Sequence, residues 1–231
     1  MARTRIVLVR PSTSANVGAC ARVVRNTGVE GLDLVSPGDW RTVECWRTAW
    51  GAQDVLEQAR VFGDLASAVA GSALVLGFTG RRPVGAALLD VRQSAERIAA
   101  LDAEATASLV FGPETGGLSD EELALCGRAV TIPSHPAQPS YNLSHAVAIA
   151  AYEVHRATRR AGLEPARWAT HGEKERVLEG LRDGLLAIRA LPEARAEEAF
   201  REWRAFLQRA DMTPKELALL EHAARKMRRA V

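Results

Sequence analysis

Short apolar runs alternate with helical patterns along the first 160 residues of the chain. Runs rich in β-branched residues, each typical of a buried strand, occur at 6–9, 32–36, 73–78, 108–112 and 129–133. Apolar residues with helical spacing occur near 16–27, 50–60, 64–70, 119–126 and 142–160. Because strands and helices alternate, the pattern predicts an α/β domain with a largely parallel sheet.

The strand pattern stops after a polar, proline-containing join at about 161–169. Three helices are predicted beyond it, near 171–190, 193–209 and 213–229. Two of them begin with capping signatures, Thr170-x-x-Glu173 and Thr213-Pro214-x-Glu216. We therefore expect two units, an α/β domain at 1–160 and a small all-α extension at 161–231.

Composition narrows the class of protein. Hydrophobic residues make up 47% and charged residues 25% of the chain, which is ordinary for a globular enzyme. No apolar run approaches the roughly 18 residues of a membrane span, and the N-terminal run is too short for a secretory signal. The three cysteines are scattered without CxxC spacing, and the histidines show no metal-ligand spacing. We expect a cytoplasmic protein that uses no membrane and no metal.

Ligands of open α/β sheets bind beyond the carboxyl ends of the strands, so the loops that follow strands are the places to search. Four of these loops have unusual sequences, at 11–22, 77–83, 112–120 and 132–142. None is a GxGxxG or Walker loop, which argues against a dinucleotide or nucleoside triphosphate enzyme. Their glycines predict backbone that turns sharply or approaches a ligand closely. The residues alone predict a pocket of main-chain groups that Arg22 and Glu114 could face, and they leave the reaction undetermined.

Three of these segments carry a family resemblance. The motif Asn16-x-Gly18-x-x-x-Arg22, the stretch LVFGPETGGLSDEEL (109–123) and the stretch IPSHPAQPSYNLSHAVAI (132–149) resemble the three signature motifs of the SPOUT RNA methyltransferases, within these the TrmH/TrmJ branch. The resemblance covers about 1–160, and 201–229 is similar to the helical C-terminal extension of that branch. It implies a deep trefoil knot, in which the stretch before the last helix of the domain is threaded through a preceding loop.

The resemblance also implies a cofactor and an assembly. The knotted loops of the family hold S-adenosylmethionine, and the family works as a homodimer with the active site at the dimer interface. The residues that would line the cofactor are Phe78, Thr79, Gly80, Gly112, Ile132, Pro133, Pro139, Ser140, Tyr141 and Leu143. The chain departs from the branch at five of them. Relatives tend to have Gly-Thr-Ser-Ala-Arg at 77–81 and Ser-Ser-Leu-Asn-Leu at 139–143, and the changes at Phe78 and Tyr141 alter the cofactor wall.

The reaction implied is in-line transfer of a methyl group to a ribose 2′-oxygen. The candidate catalytic residues are Arg22, Ser140, Asn142, Asn16 and Glu114. Arg22 is the position to which the family usually assigns catalysis, but a guanidinium is a poor base at neutral pH. We hypothesise that Arg22 holds a phosphate group while Ser140 and Asn142 orient the hydroxyl. Two roles stay open for Glu114, bracing its loop or contacting catalytic groups.

RNA is the expected partner. The candidate RNA-binding residues are Arg22, Arg81, Arg82, Arg225 and Arg229. The resemblance implies 2′-O-methylation of tRNA, at the cytidine or uridine in position 32 of the anticodon loop. The alternatives are a ribosomal RNA target, another tRNA position, or an RNA-binding protein that keeps the fold without turnover.

Overall fold

A computed structural model describes residues 2–81, 88–159, 167–191 and 195–229 of the protein. The strands are β1 (Arg3–Val9), β2 (Gly31–Val35), β3 (Arg60–Phe62), β4 (Leu74–Phe78), β5 (Leu88–Asp90), β6 (Thr106–Phe111) and β7 (Arg128–Thr131). The helices are α1 (Ser14–Thr27), α2 (Val43–Thr48), α3 (Gln53–Glu57), α4 (Leu65–Val69), α5 (Val91–Ala99), α6 (Asp120–Cys126), α7 (Leu143–Thr158), α8 (His171–Ala187), α9 (Ala196–Arg209) and α10 (Pro214–Arg229). Within the described residues, no helix is long and apolar enough to cross a membrane.

The seven strands form one sheet in the order β3-β2-β1-β6-β4-β7-β5. All the strand pairs are parallel, which confirms the predicted α/β architecture. β7 lies between β4 and β5, although it follows both of them in the chain.

Both faces of the sheet are buried, as expected for parallel strands covered by helices. Alternate residues of β1 point to opposite faces: Ile6 and Leu8 belong to one core cluster, and Val7 and Val9 to another. The first cluster includes the apolar faces of α1, α5 and α7, and the second those of α4 and α6. Helices α1 and α7 thus lie on the same side of the sheet.

Four elements were missing from the prediction, namely α2, β3, β5 and α5. The helix predicted at 50–60 is confirmed only at α3, Gln53–Glu57, and was wrong at both ends, since β3 begins at Arg60. β3 and β5 are three-residue edge strands that lack the apolar run of a buried strand. The start of α5 had a local signal, a capping box between Asp90 and Gln93.

A buried carboxylate joins three neighbouring strands. Asp33 of β2 is fully buried and accepts two hydrogen bonds from Arg5 of β1, at 2.7 and 2.8 Å. It accepts two more from Arg60 of β3, also at 2.7 and 2.8 Å. Burial pushes the pKa of Asp33 up, but the two guanidinium groups outweigh it and hold the pKa below its usual value.

The helices after residue 167 have an apolar cluster of their own, which includes Leu178, Leu181 and Leu207. They contact the sheet domain at the amino ends of its strands. The Arg128 guanidinium at the start of β7 lies 2.8 Å from the Asp211 carboxylate, and the backbone N–H of His171 donates to Ser72 just before β4 at 2.6 Å. The predicted division at residue 160 stays a prediction.

Candidate active site

The loops after β4, β6 and β7 enclose a cavity of about 320 Å³ at the carboxyl ends of these strands. Nine of the ten residues predicted to contact a cofactor line it: Phe78, Thr79, Gly80, Gly112, Ile132, Pro139, Ser140, Tyr141 and Leu143. Pro133 is outside the lining, and its carbonyl accepts a hydrogen bond from the Tyr141 hydroxyl at 3.1 Å. The segments predicted to form a pocket therefore do meet in space.

The inner wall of the cavity is aromatic and aliphatic. The rings of Phe78 and Phe111 are stacked, with centroids 4.4 Å apart and planes 16° from parallel. Val130 and Ala146 add apolar surface. The prediction missed Phe111, Val130 and Ala146 as lining residues. Phe111 and Val130 belong to strands and Ala146 to a helix, whereas most of the predicted contacts lie in the loops that follow strands.

The loop at 112–118 requires its glycines for two different reasons, close packing at Gly112 and backbone conformation at Gly116 and Gly117. A Cβ atom on Gly112 would lie 2.3 Å from the backbone nitrogen of Leu118. Gly116 and Gly117 have φ values of +85° and +68°, a left-handed backbone that favours glycine. The loop thereby presents main-chain groups to the cavity at close range.

Glu114 is held by the start of the first helix and the loop before it. One carboxylate oxygen accepts from the backbone N–H of Ser12 at 2.9 Å and from its hydroxyl at 2.7 Å. The other accepts from the backbone N–H of Thr13 at 3.2 Å and from the Asn16 side-chain amide at 2.7 Å. Burial raises the pKa of Glu114, but the hydrogen bonds from Asn16 and Ser12 outweigh it and bring the pKa to about 2. Glu114 thus binds the backbone before α1 and contacts Asn16, and its role in catalysis stays a prediction.

A hydrogen-bond chain joins all three sequence motifs. Glu114 binds Asn16, whose side-chain oxygen accepts from the Asn142 amide at 3.1 Å. Asn142 is the N-cap of α7, and its oxygen accepts from the backbone N–H of Ser144 at 2.9 Å and from the Ser144 hydroxyl at 2.8 Å. Residues from 98 to 126 positions apart in the chain are therefore locked into one arrangement beside the cavity.

Ser140 and Asn142 have different surroundings. Ser140 lines the cavity, whereas Asn142 caps the helix below it and is not part of the lining. Ser140 belongs to the exposed loop at 133–141, which is closed at its neck by two side chains. The Ser134 hydroxyl donates to the Pro139 carbonyl at 2.9 Å, and the Tyr141 hydroxyl donates to Pro133. Ser140 thus has the more direct access to a ligand.

The predicted arginines are dispersed. Arg22 is exposed on α1, about 9 Å along the helix axis from Asn16, and does not line the cavity. Arg81 lines the cavity and donates to the Leu118 carbonyl at 2.5 Å. Arg225 and Arg229 are exposed on α10. Arg82 lies outside the described residues. Among the four of these arginines that the structure describes, Arg81 alone lines the cavity of the same chain.

Comparison with known proteins supports a single family. Residues 3–152 match the model of the SpoU rRNA Methylase family. The chain is 40% identical over 167 residues to the tRNA (cytidine/uridine/adenosine-2′-O-)-methyltransferase TrmJ of Pseudomonas aeruginosa (strain UCBPP-PA14), a match that covers 71% of this chain and 65% of that protein. It is 38% identical over 151 residues to the tRNA (cytidine/uridine-2′-O-)-methyltransferase TrmJ of Yersinia pestis (strain Pestoides F), with 65% of this chain and 59% of that protein covered. The chain thus spans somewhat less than two thirds of the length of these relatives.

A solved structure extends the similarity beyond the matched sequence. The crystal structure of TrmJ from Z. mobilis ZM4 superposes with a TM-score of 0.83 at 32% identity, covering 98% of this chain and 99% of that one. The similarity therefore includes the helices after residue 167 as well as the sheet. The family match, the relatives and this shared fold agree, and the chain belongs to the SpoU rRNA methylase family.

Proposed function

We propose that the protein transfers a methyl group from S-adenosylmethionine to a ribose 2′-hydroxyl of tRNA. The observation that carries this proposal is the hydrogen-bond chain Glu114–Asn16–Asn142, which joins three distant motifs at the edge of one cavity. The names of the two relatives at 38–40% identity support tRNA as the substrate class.

The cavity suits the proposed cofactor. Its volume of about 320 Å³ lies within the usual range for small-molecule sites. The stacked rings of Phe78 and Phe111 offer an apolar wall to a flat base, and the backbone at Gly80 and Gly112 offers polar groups at close range. The other predicted contacts that line it are Thr79, Ile132, Pro139, Ser140, Tyr141 and Leu143, with Pro133 behind them. S-adenosylmethionine supplies an electrophilic methyl group on a positively charged sulfur.

The protein's own task is to align the hydroxyl and share its proton. Ser140, which lines the cavity, hydrogen-bonds the ribose hydroxyl. Asn142 fixes the position of Ser140 through the helix cap and its bond to Asn16. Glu114 stays ionised at neutral pH because its pKa is about 2, so it is too weak a base to take the proton. Its role is to hold Asn16.

In this proposal, Arg22 acts in the active site of the other subunit of a homodimer. It is exposed and does not line the cavity of its own chain, and it follows Ala15 and Ala19 along one face of α1. A second copy of the chain packing on this face brings its Arg22 to the cavity, where the guanidinium holds the phosphate next to the target ribose.

Mixing two inactive variants tests this arrangement. The Arg22→Ala dimer and the Ser140→Ala dimer should each be inactive alone. After subunit exchange in an equal mixture, half of the dimers are heterodimers with one complete site of two, so about a quarter of the wild-type sites should be regained. No recovery in subunit-exchanged mixtures contradicts a role across the dimer. Arg22→Lys keeps the charge but not the two-pronged geometry, and it should lose most of the turnover.

The proposed fold includes the predicted trefoil knot. Its support is the sheet order, in which β7 lies between β4 and β5 while the connection from β4 to β5 has only nine residues, 79–87. In the proposed arrangement, the chain that leaves β7 at Thr131 passes through that connection before α7. Residues 82–87 of the connection lie outside the described residues.

The helical segment at 161–231 is proposed to dock the RNA. The face of α10 opposite its buried Leu217 and Ala224 is basic. It carries Lys215, Arg225, Lys226 and Arg229, all exposed. A row of positive charges on one helix face suits the phosphate backbone of RNA. In this proposal, part of the affinity for RNA comes from contacts outside the cavity.

A transfer assay separates this function from its alternatives. The purified protein is incubated with S-adenosylmethionine labelled in the methyl group and with bulk tRNA or ribosomal RNA. Label in tRNA that Ser140→Ala abolishes supports the proposal, with Ser67→Ala, at an exposed serine of α4 outside the cavity lining, as the matched control. Label in ribosomal RNA alone supports the alternative to which the family's description points. Cofactor binding without transfer to either RNA, or no cofactor binding at all, supports the alternative of an RNA-binding protein that keeps the fold without turnover.

The position of the target nucleotide requires mapping. Position 32 of the anticodon loop is the proposed site. Mass spectrometry of tRNA from a strain that lacks the protein should show the loss of one 2′-O-methyl group there. Loss at another position leaves the chemistry intact and corrects the target.

A further inference from the structure

Tyr141 lines the cavity, and both its backbone and its hydroxyl group have defined neighbours. Its backbone lies between Ser140, which lines the cavity, and Asn142, which caps α7. Its hydroxyl donates to the Pro133 carbonyl at 3.1 Å, across the neck of the loop at 133–141. This hydrogen bond holds the ring beside the neck of the loop.

The ring also keeps much of its surface in water. Tyr141 lines the cavity and is nevertheless 44% exposed. The inner wall already has an aromatic stack, formed by the buried Phe78 and Phe111. A second aromatic residue is therefore not needed to close the cavity from inside. What Tyr141 adds is a fixed, flat and accessible surface beside the serine.

Geometry places a nucleobase near this surface. Suppose that a ribose 2′-hydroxyl reaches Ser140. The base of the same nucleotide is then attached only two bonds away from the sugar carbon that carries this hydroxyl. The base therefore cannot lie far from the residue next to Ser140. Stacking on an aromatic side chain is the usual means of holding an unstacked base, and it accepts any base because every base has a π face.

We propose that Tyr141 stacks on the base of the nucleotide whose ribose is methylated. The inference rests on the proposed function and adds a positioning and specificity role on the RNA side of the site. Tyr141 then has two surfaces, one toward the cavity and one for the target base. It holds the nucleotide outside its helical stack while Ser140 contacts the hydroxyl.

The test compares three variants on two RNAs. Tyr141→Leu keeps an apolar side chain against the cavity but removes the flat ring, and Tyr141→Phe keeps the ring but removes the hydrogen bond to Pro133. Tyr152→Leu makes the same change at the protein's other tyrosine, which is 58% exposed on α7. The RNAs are the tRNA substrate and the same molecule with an abasic ribose at the mapped target.

Tyr141→Leu should raise KM for the intact tRNA by about five- to a hundredfold, the range of one lost stacking contact. The Kd for S-adenosylmethionine should change by less than about threefold, because an apolar side chain still faces the cavity. Tyr141→Phe should lose much less than Tyr141→Leu, and Tyr152→Leu should behave like the wild type. On the abasic RNA the wild type should lose a similar factor, and Tyr141→Leu should lose little more.

Three results overturn the inference: an unchanged KM in Tyr141→Leu, an equal penalty on intact and abasic RNA, or a loss confined to S-adenosylmethionine binding. The comparison of the two RNAs with the wild-type protein keeps the test valid even if Tyr141→Leu fails to fold, since an abasic target that binds normally also contradicts stacking. A wild-type protein that methylates no RNA refutes the proposed function itself. If the wild type methylates tRNA normally and Tyr141→Leu has the same KM, only the stacking is refuted.

Discussion

The substitution Glu114→Gln tests whether this carboxylate is a structural anion or a base. Each of its two oxygens accepts two hydrogen bonds, from Ser12 on one side and from Thr13 and Asn16 on the other. A glutamine keeps one acceptor oxygen and turns an NH₂ group toward donors on the other side. About two charge-assisted hydrogen bonds are therefore lost.

Bonds of this kind contribute about 1.5–3 kcal/mol each in protected surroundings. Glu114 is exposed as a residue, so solvent screening reduces that figure, and we expect a loss of about 1.5 kcal/mol in the free energy of unfolding. This corresponds to a fall of roughly 0.5–1 M in the urea midpoint. Glu96→Gln, at an exposed carboxylate on α5, makes the same charge change and should leave the midpoint nearly unaltered.

The difference in the free energy of unfolding between wild type and Glu114→Gln should decrease at acidic pH and stay constant at neutral pH. The folded pKa of about 2 is below the ordinary value of 4.5, so the folded state binds this proton more weakly than the unfolded state. The contribution is fully present above about pH 4.5 and disappears as the pH falls through about 2. From pH 6 to pH 8 the difference should be constant.

Turnover distinguishes the two roles. Loosening Asn16 shifts Asn142 and the serine that precedes it, so methyl transfer should fall by about ten- to a hundredfold. Because Glu114 is ionised throughout the range from pH 5 to pH 9, this fall should be the same at every pH. If the wild-type profile has an acid limb in that range and Glu114→Gln lacks it, the carboxylate is a base and our reasoning is wrong. An unaltered urea midpoint would also refute it.

Three further predictions concern other parts of the molecule. Asp33→Asn should lower the free energy of unfolding by about 3–5 kcal/mol, measured by urea titration, because two guanidinium groups lose a fully buried partner. Gly112→Ala places a Cβ atom 2.3 Å from the Leu118 backbone and should weaken S-adenosylmethionine binding by about tenfold or more in calorimetry; unchanged affinity would show that the 112–118 loop does not form the cofactor wall. The double charge reversal of Arg225 and Arg229 to glutamate should raise KM for tRNA and lower the salt slope of binding by about two, with little effect on kcat.

Local patterns of the sequence were sufficient for the long elements. The buried strands β1, β4 and β6 are continuous apolar runs, and α6, α8 and α10 begin at capping residues. Such signals act over a few residues, so they predict an element without its neighbours. Edge strands such as β3 and β5 are short and half covered, and their stability comes from pairing with β2 and β7. No local pattern predicts them.

The sequence by itself also determined which segments to compare, because the three motifs occur in order and belong to loops and helix starts, and their chemical roles stay predictions. Only the tertiary structure decided how they meet. The sheet order brings Glu114, Asn16 and Asn142 into one hydrogen-bond chain, although their separations in the chain are 98 and 126 residues. The tertiary structure also places hydrogen-bond donors beside Glu114, and these lower its pKa. It places Arg22 outside the cavity of its own chain. The physical reason is that hydrogen bonding and exposure depend on every element packed around a side chain, whereas periodicity and capping depend on its neighbours in sequence.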